Sequence, residues 1–129
     1  MSIFRRSRGG SGRVTVQEAA ARSGHGRTAE GGGETVLLDV REPYEWQASH
    51  APGAVHLALS ALAAGAGLPT QAQARPLIVI CRSGNRSRQA AELLVARGSR
   101  AVDVIGGMRD WAGAGLPVVD ARGANGTVA

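Results

Sequence analysis

Short β-branched runs separated by helical stretches constrain this chain more than anything else in it. Leu77-Ile78-Val79-Ile80 follows Pro76 without a polar residue, a pattern that suits a central strand covered on both faces, as parallel strands are. Val36-Leu37-Leu38-Asp39-Val40 and Ala101-Val102-Asp103-Val104-Ile105 repeat it. Val14-Thr15-Val16, as an edge strand, and Ala54-Val55-His56-Leu57 are shorter candidates. Helices are expected over 17–22 with Thr15 as cap, from Pro43 through Glu45-Trp46-Gln47, around 60–64, over 87–98 ending at Gly98, and around Met108, Asp110 and Trp111 before Pro117. Pro52-Gly53 marks a turn, and the glycine-rich stretch 23–34 a loop. Strands alternating with helices at this spacing predict an α/β fold with a mostly parallel central sheet of about five strands and helices on both faces.

With 129 residues and 43% hydrophobic content, the chain reads as one domain over 13–120, flanked by a disordered basic tail at 1–12 and a flexible C-terminal tail at 121–129. A domain of this size buries about two thirds of its unfolded surface and needs no disulfide or metal staple. Cys81 is the single cysteine, so any relay through it must finish on another molecule. No apolar stretch approaches a membrane span, and the arginines near Met1 are not followed by the apolar core of a secretion signal, so a cytoplasmic setting away from membranes is expected. The net charge of +5 comes from 15 arginines and no lysine against 10 acids. Arg5, Arg6, Arg8 and Arg13 are assigned to the solvated tail. The four aromatics, Phe4, Tyr44, Trp46 and Trp111, do not interleave with a basic stripe, so no nucleic acid is expected. Trp46 and Trp111 read as packing residues.

Cys81 stands at the carboxyl end of the Leu77–Ile80 run and opens the loop Cys81-Arg82-Ser83-Gly84-Asn85-Arg86-Ser87 before a helix. Ligands of open α/β sheets sit at such strand ends. Gly84 and Asn85 tolerate unusual backbone angles, so consecutive N–H groups can turn inward around the sulfur. Those donors, the helix N-terminus and the guanidinium groups of Arg82 and Arg86 favour thiolate over thiol, which predicts a nucleophile that needs no base. His25, His50 and His56 are the only histidines, and none lies in the loop. His50 and His56 show no metal spacing with Cys81, and His50 reads as a turn residue. Glu42 and Glu45, one helical turn apart, are expected to face solvent rather than form an acid/base pair.

From about Val14 to Val119 the chain resembles a single-domain rhodanese, of the sulfurtransferase family. Three segments in the family's order carry the resemblance: Asp39-Val40-Arg41-Glu42-Pro43-Tyr44-Glu45-Trp46 continuing to His50-Ala51-Pro52-Gly53-Ala54-Val55, the loop from Cys81 to Ser87, and Gly106-Gly107-Met108-Arg109-Asp110-Trp111 with Gly115-Leu116-Pro117-Val118. Ser49 departs from the glycine usual before the histidine. The resemblance implies a rhodanese-like fold and a Cys81 that attacks the outer sulfur of thiosulfate, releases sulfite and passes its persulfide sulfur to cyanide or to a thiol acceptor such as thioredoxin or glutathione. A persulfide anion within a ring of N–H donors needs no metal or organic cofactor. Arg82 and Arg86 are expected to steer and hold the dianionic donor, unless one only pairs with a nearby acid. Ser83 and Ser87 either donate hydroxyls to the sulfur or cap the helix. Asp39 and Arg41, at the end of the neighbouring strand, are candidates for a shell that braces the loop, paired with each other or with loop groups.

Two other readings compete. Phosphatases and arsenate reductases sharing this fold place five residues between cysteine and arginine, whereas here Arg86 comes one residue early and Ser87 occupies the position they need. A shorter ring suits one sulfur atom better than a tetrahedral phosphate. The second alternative is a non-catalytic binding or regulatory module, against which stand the retained thiol and arginines.

Overall fold

A computed structural model of the protein describes residues 12–25, 34–124, 126 and 128. Five strands, β1 (Gly12–Val14), β2 (Val36–Asp39), β3 (Val55–His56), β4 (Leu77–Ile80) and β5 (Ala101–Val104), form one sheet in the order β1-β5-β4-β2-β3. Every pairing is parallel. The helices are α1 (Val16–Ser23), α2 (Pro43–Ala48), α3 (Leu59–Ala63), α4 (Arg86–Ala96) and α5 (Gly107–Gly113), with a 3-10 turn at Thr70–Ala72. This is the α/β architecture that the alternating runs predict.

Because β4 lies at the centre, with β5 and β2 beside it, its four residues are all buried. Alternate side chains enter two separate cores. Leu37, Ile78, Ile80, Val102 and Val104 pack with Val16, Ala19, Ala20, Met108 and Trp111 of α1 and α5. Val36, Leu38, Leu77, Val79 and Ala101 pack with Leu62 of α3, Ala72 of the 3-10 turn, and Ala90, Ala91 and Leu94 of α4. Cys81 belongs to the second cluster. Trp111 is fully buried in the first, with its indole N–H donated to the Pro117 carbonyl at 2.8 Å.

Local differences from expectation have simple causes. β1 runs from Gly12 to Val14 rather than 14–16 because Thr15 is committed to capping α1: its Oγ1 accepts from Glu18 N–H at 3.1 Å and Glu18 Oε1 accepts from Thr15 N–H at 3.0 Å. Arg13, assigned above to the solvated tail, therefore lies inside the sheet. Residues 1–11 of the expected tail lie outside the described residues. Of the C-terminal stretch, Asp120 Oδ1 accepts from the N–H groups of Arg122 and Ala124, and Gly126 N–H donates to the Val118 carbonyl at 3.0 Å. Among the described residues no helix is long and apolar enough to cross a membrane.

Candidate functional site

Parallel strands bring their carboxyl ends to one edge, so Asp39, Cys81 and the residues after Val104 converge there. Cys81 follows β4 directly and is almost fully buried. Its Sγ accepts from the Gly84 N–H at 3.1 Å and lies 3.4 Å from Ser87 Oγ. Gly84 makes this turn at φ +103°, a conformation other residues rarely adopt. Asn85 keeps an ordinary right-handed backbone and caps α4 without a side-chain hydrogen bond.

The loop rests on the start of α5. Met108 N–H donates to the Cys81 carbonyl at 2.7 Å and Arg109 N–H to the Arg82 carbonyl at 3.0 Å. A Cβ on Gly107 would fall 2.3 Å from the Cys81 carbonyl oxygen. The Gly106-Gly107 pair is thus the seat on which the cysteine loop lies.

Arg82, Ser83 and Asn85 are exposed on the loop. Arg86 is not simply directed at a substrate: its Nη1 and Nη2 meet Glu45 Oε1 and Oε2 at 2.6 and 2.8 Å. This corrects the expectation that Glu45 faces solvent, since it is buried at 3% exposure. The reason is the short α2, which turns Glu45 towards the loop while Glu42 N–H bonds its Oε1 at 2.9 Å. The hydrogen bond from Arg86 holds the Glu45 carboxyl below its ordinary value of 4.5, against burial, which pushes it up; the same bond raises Arg86. A carboxyl depressed on folding contributes stability that is present above its unfolded value and lost as pH falls through the folded one. Urea unfolding between pH 3 and 7 is therefore expected to show wild type exceeding Glu45→Gln by its largest margin above pH 4.5, with the margin closing in stronger acid. A margin that does not depend on pH would refute the pairing.

Asp39 and Arg41 are fully buried and pair with each other: Arg41 Nη2 to Asp39 Oδ2 at 2.8 Å and Nε to Oδ1 at 3.0 Å. Arg41 Nη2 also reaches the Ser49 carbonyl at 2.6 Å. The pair thus ties the end of β2 to the residue that follows α2, the helix carrying Glu45. His50 Nδ1 meets the Trp46 carbonyl, its backbone bridges Val119, and its ring stacks on Trp46 at 3.7 Å between centroids.

Two residues that the sequence reading did not assign to the site complete it. Asp103, fully buried on β5, accepts from Ser87 Oγ at 3.0 Å and from Arg13 Nε and Nη2 at 3.0 and 3.1 Å. Arg13 Nη2 also donates to the Gly84 carbonyl at 3.0 Å. The available signal was an acid inside an apolar run, since a buried charge demands a partner.

A family model described as "Rhodanese-like domain" matches residues 15–114. A Bacillus subtilis (strain 168) protein named "Putative sulfur carrier protein YrkF" is 37% identical over 78 residues, which cover 60% of this chain and 41% of that protein. The chain thus spans less than half the length of that relative. A rhodanese-related protein from Thermoplasma volcanium superposes with a TM-score of 0.66 at 27% identity, covering 83% of this chain and 96% of that one. A Rhodopseudomonas palustris protein described as a possible tyrosine phosphatase shares the fold, with a TM-score of 0.67 at 23% identity over 82% of this chain and 83% of that one. The family match takes in all of the sheet beyond β1, the Cys81 loop and the glycine pair beneath it, and the chain belongs to the rhodanese-like domain family.

Proposed function

We propose that this protein is a sulfurtransferase in which Cys81 carries sulfane sulfur as a persulfide. The observation that carries the reading is the seat of Sγ: a lone thiol at the end of the central strand, held by the Gly84 N–H within the loop that also carries Arg86. The Cys81 thiolate attacks the outer sulfur of thiosulfate, the S–S bond breaks with its electron pair leaving on sulfite, and a persulfide anion remains. A thiolate acceptor or cyanide then attacks the outer sulfur, and the pair of the breaking bond returns to Sγ. Charge is conserved in both steps, and the Gly84 N–H is aimed at Sγ, the atom to which the charge returns after transfer. Membership of a family whose chemistry is sulfur transfer, and a relative named as a sulfur carrier, support the same reading.

Paired with Glu45, Arg86 contributes a fixed positive edge to the site more than a mobile clamp. Exposed Arg82 remains the candidate for guiding a dianionic donor, which predicts a loading rate that falls with ionic strength. Thioredoxin and glutathione are suitable acceptors in a reducing cytoplasm. The test is thiocyanate formation from thiosulfate and cyanide, with intact mass after thiosulfate alone. Wild type is expected to gain one sulfur atom and form thiocyanate, and Cys81→Ser to do neither. A folded wild type that gains no sulfur would reject thiosulfate as donor and bring forward the binding-module reading.

A further inference from the structure

Ser87 has one hydroxyl proton and two neighbours that can take it. Its Oγ donates to Asp103 Oδ2 at 3.0 Å and accepts from the Cys81 thiol at 3.4 Å. While Asp103 takes the proton, Ser87 offers the sulfur only lone pairs, an arrangement that suits S–H and not an anion. For the hydroxyl to serve a thiolate or persulfide, its O–H must turn from Asp103 to Sγ. We propose that Asp103 and Arg13 are positioning residues that set which way the Ser87 hydroxyl points, and so how readily the Cys81 sulfur becomes an anion. The proposal rests on Cys81 being the reacting sulfur.

The geometry gives Arg13 a double hold. Its guanidinium takes both carboxylate oxygens of Asp103, which tempers that acid's demand for the Ser87 proton, and its Nη2 also fixes the Gly84 carbonyl. The Gly84 N–H is the donor to Sγ. One arginine on the edge strand therefore touches two groups that hydrogen-bond the sulfur, Ser87 through Asp103 and Gly84 through its carbonyl. Of the other charged groups near the loop, Arg86 of α4 pairs with Glu45 of α2, and Asp39 at the end of β2 pairs with Arg41 just beyond it.

Asp103→Asn tests this with a definite sign. The amide oxygen keeps the bond from Arg13 Nε, whose single N–H needs it, while the NH2 group replaces Oδ2, gives up the bond from Arg13 Nη2, which retains the Gly84 carbonyl, and meets Ser87 Oγ as a donor, leaving the hydroxyl proton to the sulfur. Alkylation of Cys81 by iodoacetamide at pH 6 is expected to be roughly fivefold faster than in wild type, the equivalent of about 1 kcal/mol for one redirected hydrogen bond. Arg13→Ala, at a side chain one-third exposed on the edge strand, leaves Asp103 less satisfied and is expected to slow labelling by a similar factor. Charge acting through space predicts the same signs, so both substitutions are repeated with Ser87→Ala in a double-mutant cycle. The hydroxyl switch requires most of the Asp103→Asn effect, and a clear share of the Arg13→Ala effect, to vanish without Ser87, the rest of the latter passing through the Gly84 carbonyl. Equal factors in both backgrounds, or no change on Asp103→Asn, would overturn it. Should Asp103→Asn fail to fold, the Arg13→Ala cycle decides alone. Labelling reads the thiol without any sulfur donor, so the expected cycle together with no sulfur loaded from thiosulfate would uphold the switch and remove thiosulfate transfer instead.

Discussion

Replacing Gly107 by alanine is expected to cut the rate of sulfur loading by about two orders of magnitude, the loss that follows a displacement of about 1 Å at a reacting group. A Cβ there would lie 2.3 Å from the Cys81 carbonyl oxygen and 2.7 Å from the Arg82 carbonyl carbon and oxygen. These are backbone atoms of the loop itself and cannot rotate aside as a side chain could. Relief must come from lifting the loop off α5, which also breaks the bonds from Met108 and Arg109 N–H. Gly107 further sits at φ +57°, where a side chain costs about 1–2 kcal/mol, and the overpacking adds about 1–3 kcal/mol. Gly113→Ala is the control, because nothing lies within 4 Å of its Cβ position and it has no positive φ. Intact mass after timed exposure to thiosulfate, beside thermal unfolding, reads both effects. Loading at the wild-type rate in Gly107→Ala would show that the loop does not depend on this seat.

Arg41→Met is expected to lower stability by about 3–5 kcal/mol, the cost of breaking a buried ion pair on one side only. The substitution leaves the Asp39 carboxylate with the Arg41 backbone N–H at 3.0 Å and no counter-charge, and deprives the Ser49 carbonyl of its donor. Against a total of about 5–15 kcal/mol for a domain of this kind, that is enough to bring it near unfolding. Changing Asp39→Leu in the same chain should restore much of the loss, since removing both charges removes the uncompensated one. Urea midpoints for the two single variants and the double variant give the coupling. A cost below about 1 kcal/mol for Arg41→Met would mean that water reaches the pair.

The elements and the thiol at the end of β4 were legible because their determinants are local. Pro76 and four apolar residues specify β4, Thr15 and Glu18 specify the start of α1, and Cys81 and Gly84 show themselves by type and position. The ion pairs were not legible in the same way. Glu45 reads from helical spacing as a surface acid, and only when α2 is laid against the start of α4 does it meet Arg86, 41 residues away. Its carboxylate then turns an expected substrate clamp into half of a fixed pair.

Arg13 and Asp103, separated by 90 positions, make the same point more sharply. Nothing near either residue names the other, and Arg13 borders a tail rich in arginine, glycine and serine. They meet because β1 enters the sheet beside β5, in the register that sets Arg13 level with Asp103. The sequence by itself determined the α/β alternation, the caps and turns, and a thiol presented in a glycine-containing loop, since backbone preference and hydrophobic period act over a few residues. Tertiary structure alone decided which charges neutralise one another and which acid takes the Ser87 hydroxyl proton. Those choices follow from strand order and register, and burial allows a charge to remain only where chain-distant packing supplies its partner.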